Sequence, residues 1–360
     1  MSKYALPILR TLAITTALAC STSLGASIAQ ADQAPNVVVT IKPVHSLASA
    51  IMEGVGEPVL LLDGAASPHS YSLRPSEARS LNEANLVIYV ADNLESFLEK
   101  PLQSLAGKAH QLELIDVPGM HVLPVRAGGA WETHSHGDDD HDHEHGDHAE
   151  HEHDDHHGEE DHDHEGHDHE EHSEHDHDHD EHDHDHADQN DPHLWLDIHN
   201  GETIARAIAA ELTEIDAAHA AQYEANLQAL LAKLETLEGD LQKRLDSVKD
   251  LPFVVFHDAY QYLEHGFDLT AVGSITVSPE QTPGVQRLHE IEDKIKSTGA
   301  QCVFAEPQFR PAIVDAVVAD TGARSGILDP LGANIPAGPD AYGAILSQNV
   351  EALVGCLSGS

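Results

Sequence analysis

Three features of the sequence predict an α/β protein of two lobes, each a mostly parallel sheet flanked by helices, joined by one long helix. Strand-like and helix-like runs alternate from Asn36 to Ile115, and the same rhythm returns after Pro252. Between them lies a proline-free stretch with apolar residues at every third or fourth position.

In the first lobe, Asn36-Val37-Val38-Val39-Thr40-Ile41 reads as a strand ending at Pro43. Val44 to Glu53 reads as a helix stopped by Gly54, and Pro58 to Leu62 as a second strand. Pro75 opens a helix from its first turn, where a missing N–H costs nothing. Leu86 to Val90 is a third strand, followed by a helix from Asn93 to Leu105 and a strand from Gln111 to Ile115. The connector runs from Asp216 to Val248, with Tyr223, Leu227, Leu230, Leu234, Leu237, Leu241, Leu245 and Val248 on one stripe and Gly239 as its weak point. That stripe can seal against the lobes or form an intermolecular coiled coil; the first reading gives a monomer with stiffly coupled lobes. In the second lobe, strands are expected at Phe253–Phe256, Leu269–Val272, Ala300–Ala305 and Ser325–Leu328. Helices are expected at Ala259–His265, Pro283–Ser297, Pro311–Thr321 and Tyr342–Leu357. The resulting division is 32–215 for the first lobe, 216–248 for the connector and 249–360 for the second lobe.

Two segments stand outside this pattern. Lys3 and Arg10 precede an apolar, small-residue run from Leu12 to about Ile28, then Ala29-Gln30-Ala31, which is the pattern of an export leader (1–31) cleaved after Ala31. Thr15, Thr16, Ser21, Thr22 and Ser23 interrupt the run too often for a membrane anchor. Cys20 suggests acylation, but Ala17 stands where a lipoprotein signal has Leu. The second segment, His134 to His186, holds 21 of the 31 histidines and 25 of the 63 acidic residues, with no Lys or Arg. With no large apolar side chain, it cannot bury enough surface to offset its ordering entropy, so a disordered loop is expected. Its alternating His-Asp and His-Glu pairs offer overlapping ligand sets for several weakly held zinc ions; a merely solvated linker is the alternative. The net charge of -45 excludes nucleic acid as a partner.

No nucleophile elbow, HExxH pair, phosphate loop or dinucleotide fingerprint is present. Single histidines fall at informative places instead. His69 lies in a small-residue loop after the Pro58–Leu62 strand, and His193 lies where the charged segment re-enters apolar sequence. His257 ends the strand at Phe253, and Asp329 follows the strand at Ser325. Ligands of open α/β sheets bind outside the carboxyl ends of strands, so these residues can face one another across a cleft. Three imidazoles and a carboxylate suit Zn²⁺ rather than Ca²⁺ or Mg²⁺. Taken singly, each is as readily a cap or a satisfied core group; His45, His121, His199, His265 and His289 are read as structural or surface. Cys302 and Cys356, the pair left after leader removal, are expected to be bonded in an oxidising compartment, with two free thiols as the alternative.

The strings GAASPHSYSLRP (Gly64 to Pro75), DPHLWL (Asp191 to Leu196), FHDAY (Phe256 to Tyr260), PGVQRLHE (Pro283 to Glu290), CVFAEPQFRP (Cys302 to Pro311) and LDPLG (Leu328 to Gly332) carry a resemblance. They resemble the zinc-specific solute-binding proteins of bacterial ABC importers, the ZnuA type, from about Asn36 to Leu357. The resemblance implies a metal held between two lobes by His69, His193 and His257, with Asp329 or a water completing the site, and a Cys302–Cys356 disulfide. It further implies a periplasmic protein that is not an enzyme, captures zinc, and delivers it to a membrane permease with its cytoplasmic ATPase. His257 separates this chain from manganese relatives, which carry Glu there, whereas Pro68 departs from zinc members with Glu before the first histidine. The alternatives are a manganese-binding or adhesin-like protein on the same scaffold, or a secreted zinc hydrolase using Glu306 or Asp258 as base.

Overall fold

The computed structural model describes residues 34–126, 131, 190–276, 282–309 and 312–359. The expected leader and the His/Asp/Glu-rich segment 134–186 lie outside the described residues.

The first sheet is built from β1 (Val37–Ile41), β2 (Val59–Leu62), β3 (Leu86–Tyr89) and β4 (His110–Glu113), all parallel in the order β2-β1-β3-β4. β1 passes directly into α1 (Lys42–Ile51), with Pro43 inside the first helical turn rather than before it. Its fixed φ and missing N–H fit that position. α2 (Pro75–Asn82) starts at its proline, and the Glu77 carboxylate caps it by accepting the Arg74 N–H at 2.7 Å. The helix expected over Asn93 to Leu105 is instead a 3-10 turn at Ser96–Leu98 followed by the short α3 (Glu99–Ser104). Pro101 is the reason: lacking an N–H, it fits only a first turn, so the α-helix begins just before it.

α4 (Ile198–Ile215) has no counterpart in the sequence reading. Asp197 caps it through His199 N–H, and Ile204, Ile208 and Leu212 form its buried stripe. The connector α5 (Ala220–Leu245) is 26 residues long rather than spanning Asp216 to Val248. Its length is about 39 Å at 1.5 Å per residue. Asp216 breaks the helical path with φ −142° and ψ 68°, while its carboxylate accepts the Tyr223 hydroxyl at 2.6 Å. Tyr223, Leu227, Leu230, Leu234, Leu241 and Leu245 are buried, and α5 packs against α1, α4 and the last helix. The apolar stripe therefore seals within its own chain.

The second sheet comprises β5 (Phe253–His257), β6 (Ala271–Thr276), β7 (Cys302–Ala305) and β8 (Arg324–Ile327), parallel in the order β6-β5-β7-β8. Its helices are α6 (Gln261–Phe267), α7 (Val285–Thr298), α8 (Ala312–Thr321) and α9 (Ala341–Ser358). β6 starts later than the expected Leu269 because Asp268 adopts φ 52° to end α6. A disulfide joins Cys302 on β7 to Cys356 on α9.

Alternate strand residues separate the two faces of each sheet. Val37, Val39 and Ile41 enter a core shared with Phe253 and Val255, whereas Val38 and Val254 face separate outer clusters. One hydrophobic core thus runs across both sheets beneath α1, α4, α5 and α9. Buried hydrogen bonds reinforce it: Trp195 Nε1 donates to Pro330 O at 2.9 Å, and Tyr342 OH to Trp195 O at 2.9 Å. Lys42 Nζ donates to Gly332 O and Ile335 O, each at 2.8 Å.

Candidate metal site

The reversal of strand order between β5 and β7 opens a crevice at their carboxyl ends, the usual ligand position of an open α/β sheet. His257 is the last residue of β5, and Glu306 follows β7 directly beside it. Glu306 Oε1 accepts both the backbone N–H of His257, at 3.3 Å, and its Nδ1, at 2.7 Å. His193 enters from the segment before α4, just ahead of the 3-10 turn Leu194–Leu196. Asp191, two residues earlier, accepts its backbone N–H at 3.0 Å and its Nδ1 at 2.8 Å. His69 comes from the loop after β2, on a 3-10 turn opened by Pro68.

A carboxylate facing each Nδ1 fixes the tautomer of His193 and of His257. The proton sits on Nδ1, and the lone pair on Nε2. The two Nε2 atoms nevertheless lie 3.3 Å apart in a buried setting. Two lone pairs held that close repel unless a cation lies between them. A tetrahedral zinc ion with bonds of about 2.0–2.1 Å separates its ligand nitrogens by about 3.3–3.4 Å. The ligand atoms of His69, His193 and His257 all lie within 4.8 Å of one another, the one such group among the described residues. The His69 ring is tilted against His193 with centroids 5.4 Å apart and edge-on to His257 at 5.9 Å.

Electrostatics divides the three. Burial, aided by the charges of the other two histidines, pulls His69 well below the usual imidazole range, so it stands neutral and ready to ligate. Burial also acts to lower His257, but the charge and hydrogen bond of Glu306 outweigh it and leave His257 raised. The surrounding wall is apolar, with Trp195 beside His193 and Phe309 beside His257. The cavity among Ser67, His69, His193, His257, Gln308 and Leu331 has room for about 10 Å³, one water-sized sphere. A far larger cavity of about 670 Å³ lies elsewhere, between the 53–58 turn and Ala337–Pro339, and holds none of the three histidines.

Asp329 is placed differently. It does not line the cavity, and both its oxygens are engaged. Oδ1 accepts from Leu331 N, Gly332 N and Gln308 Nε2, and Oδ2 accepts from Ala333 N at 2.6 Å. It builds the 329–333 loop beside the histidines. Of the histidines read as structural or surface, His45 bonds Pro58 O, His121 bonds Asp197 and lies tilted against His265, and His199 pairs with Glu238. Asp258 forms an ion pair with Arg126, which also binds Glu264. Of the two carboxylates considered as a hydrolytic base, Asp258 is paired with Arg126 and Glu306 gives Oε1 to His257. The sequence reading missed the orienting acids; Asp191, two residues before a histidine, and Glu306, ending the strand next to it, were the available signals.

The sequence and the fold have counterparts among known proteins. The high-affinity zinc uptake system protein ZnuA of Brucella suis biovar 1 (strain 1330) is 49% identical over 328 residues, covering 91% of this chain and 93% of the relative. The protein of the same name from Yersinia pestis is 37% identical over 321 residues, covering 89% and 91%. A crystal structure of a ZnuA deletion mutant with zinc bound shares the fold at a TM-score of 0.66 and 22% identity, covering 90% of this chain and 98% of the other. The match to the family described as zinc-uptake complex component A, periplasmic, extends over residues 37–356, and with such relatives along nearly its whole length the chain belongs to that family, ZnuA.

Proposed function

We propose that the chain captures one zinc ion between its lobes in the periplasm and releases it to the membrane permease of an ABC importer driven by a cytoplasmic ATPase. The observation that carries this reading is the pair of Nε2 atoms 3.3 Å apart, each backed by a carboxylate on Nδ1. His69, His193 and His257 are the zinc ligands, and zinc is cargo rather than a cofactor. We read the site as one of binding rather than catalysis, in keeping with relatives named for zinc uptake and with Asp258 paired to Arg126 and Glu306 shared with His257. Curated relatives named for high-affinity zinc uptake support the same reading. Among the described residues no helix is long and apolar enough to cross a membrane.

In this scheme residues 1–31 are a leader removed on export, and 32–215 and 249–360 are lobes linked through 216–248. Residues 134–186 gather zinc weakly for the cleft, and the protein acts as a monomer. The test is metal stoichiometry and zinc-over-manganese competition for the mature protein, for a version lacking 134–186, and for His257→Ala. One tight, zinc-selective ion retained by the deletion and lost in His257→Ala is expected. Tight binding that vanishes with the deletion and survives His257→Ala would sink the proposal.

A further inference from the structure

Two acceptor atoms beside the histidines are buried without a hydrogen-bond partner. Glu306 gives Oε1 to His257, leaving Oε2 unpaired, and Gln308 gives Nε2 to Asp329 Oδ1 at 3.0 Å, leaving Oε1 unpaired. The orientation of the Gln308 amide is not free. Asp329 Oδ1 already accepts two backbone N–H groups, so only the NH₂ end can face it. Both Glu306 and Gln308 line the histidine cavity, and Asp329 does not. The Tyr260 hydroxyl, also buried and unpaired, lies outside that lining.

Buried acceptors require donors. With three imidazole nitrogens on a tetrahedral ion, whatever takes the fourth position must be small and bring two donors to these acceptors. A carboxylate brings only acceptors. A water molecule brings two O–H groups, which matches the count.

Resting on the zinc-capture reading, we propose that Gln308 sets the fourth coordination position and thereby the metal preference. Its NH₂ holds the Asp329 carboxylate away from the ion. Its carbonyl receives one O–H of the metal-bound water, and Glu306 Oε2 receives the other. The donor set is then three nitrogens and a neutral water, which suits zinc; exchanging the water for a carboxylate moves the site toward manganese.

The experiment uses the mature full-length chain and two folded variants, Gln308→Met and Gln308→Met combined with Asp329→Asn. Zinc and manganese affinities are read by chelator competition, and coordination by the visible absorption of bound Co²⁺. Gln308→Met lowers the zinc-to-manganese affinity ratio by about tenfold, the worth of one hydrogen bond to a charged group, and shifts the Co²⁺ bands. The double variant returns manganese affinity to the wild-type level, because the freed carboxylate is gone; general loosening of the site would not be reversed in this way. An unchanged ratio and spectrum in Gln308→Met with wild-type circular dichroism overturns the proposal, and so does a manganese gain that persists in the double variant. Gln308→Ala carries the same expectation where Gln308→Met does not fold. Zinc retention in His257→Ala reads the capture site itself, so failure of that reading is told apart from failure of this one.

Discussion

The two lobes share one strand order but use its crevice differently. In the second lobe the switch point between β5 and β7 presents His257 and Glu306, a proposed ligand and the acid hydrogen-bonded to it. In the first, the equivalent point between β1 and β3 presents no ligand. Glu95 folds back there to accept the N–H groups of Val90 and Ala91, and burial pushes its carboxyl up to about 7. Lys42, at the end of β1, reaches across to the carbonyls of Gly332 and Ile335. The first lobe thus contributes its proposed ligand, His69, from a loop, with no carboxylate paired to it among the described residues. One half of the proposed site is held by a strand end and a paired carboxylate, whereas the other is carried by a turn.

The contrast can be broken or sharpened by experiment. The largest asymmetry is covalent: only the second lobe has a described disulfide, closing a sequence separation of 54. Loop-closure entropy puts its worth at about 4 kcal/mol. Denaturant titration of Cys302→Ser/Cys356→Ser is expected to show a loss of that order with one zinc still bound; loss of the zinc instead would mean that the staple shapes the site. Next comes His257→Ala. Removing one of four ligands from a zinc-binding free energy of about 10–16 kcal/mol is expected to weaken binding a hundredfold or more. Chelator competition measures this, and a change below tenfold would mean that His257 is not a ligand.

Glu306→Gln keeps the shape but weakens the aim. Affinity is expected to fall about 10- to 100-fold, the usual effect of losing the acid behind a ligating histidine. An equal loss in a variant that leaves the His257 hydrogen bond untouched would argue against orientation as the cause. The smallest effect is in pH dependence. Because Glu306 raises His257 while burial keeps His69 low, a proton on His257 should compete with zinc, starting above pH 6.5 as pH falls, with none taken up by His69 there. In Glu306→Gln burial is left to dominate, His257 drops, and the competition should move to lower pH. A slope of three protons, or an onset unmoved by Glu306→Gln, would contradict the division between the halves.

Much of this arrangement can be read in the chain before it folds. β1, β3 and β5 are short apolar runs whose burial on both faces leaves no other assignment, and Pro75 marks its helix start to the residue. His257 stands out because it ends an apolar strand, His193 because it opens the apolar Leu194-Trp195-Leu196 run, and His69 because it sits in a small-residue loop just after a strand. Other features were hidden for particular reasons. α4 escapes notice because its buried stripe of Ile204, Ile208 and Leu212 is diluted by alanines and preceded by His-Asn-Gly. The connector looks longer than it is because the apolar periodicity runs through Val248, whereas the helix ends are decided by Asp216 and the turns beyond Leu245. Asp329 has the same standing as the histidines in the sequence, yet its oxygens are taken by the loop it precedes.

The sequence alone determined the local matters: which segments alternate as strand and helix, and which imidazoles border apolar elements. These follow from periodicity, composition and backbone chemistry, each acting over a few residues. Only the tertiary structure decided which acid stands behind which histidine, that Gln308 lies between Asp329 and the cleft, and that one core joins both sheets. Those pairings link positions as far apart as 49 residues for His257 with Glu306 and 64 for His193 with His257. No local pattern encodes them, because strand order and the packing of α1, α4, α5 and α9 bring the partners within hydrogen-bond reach.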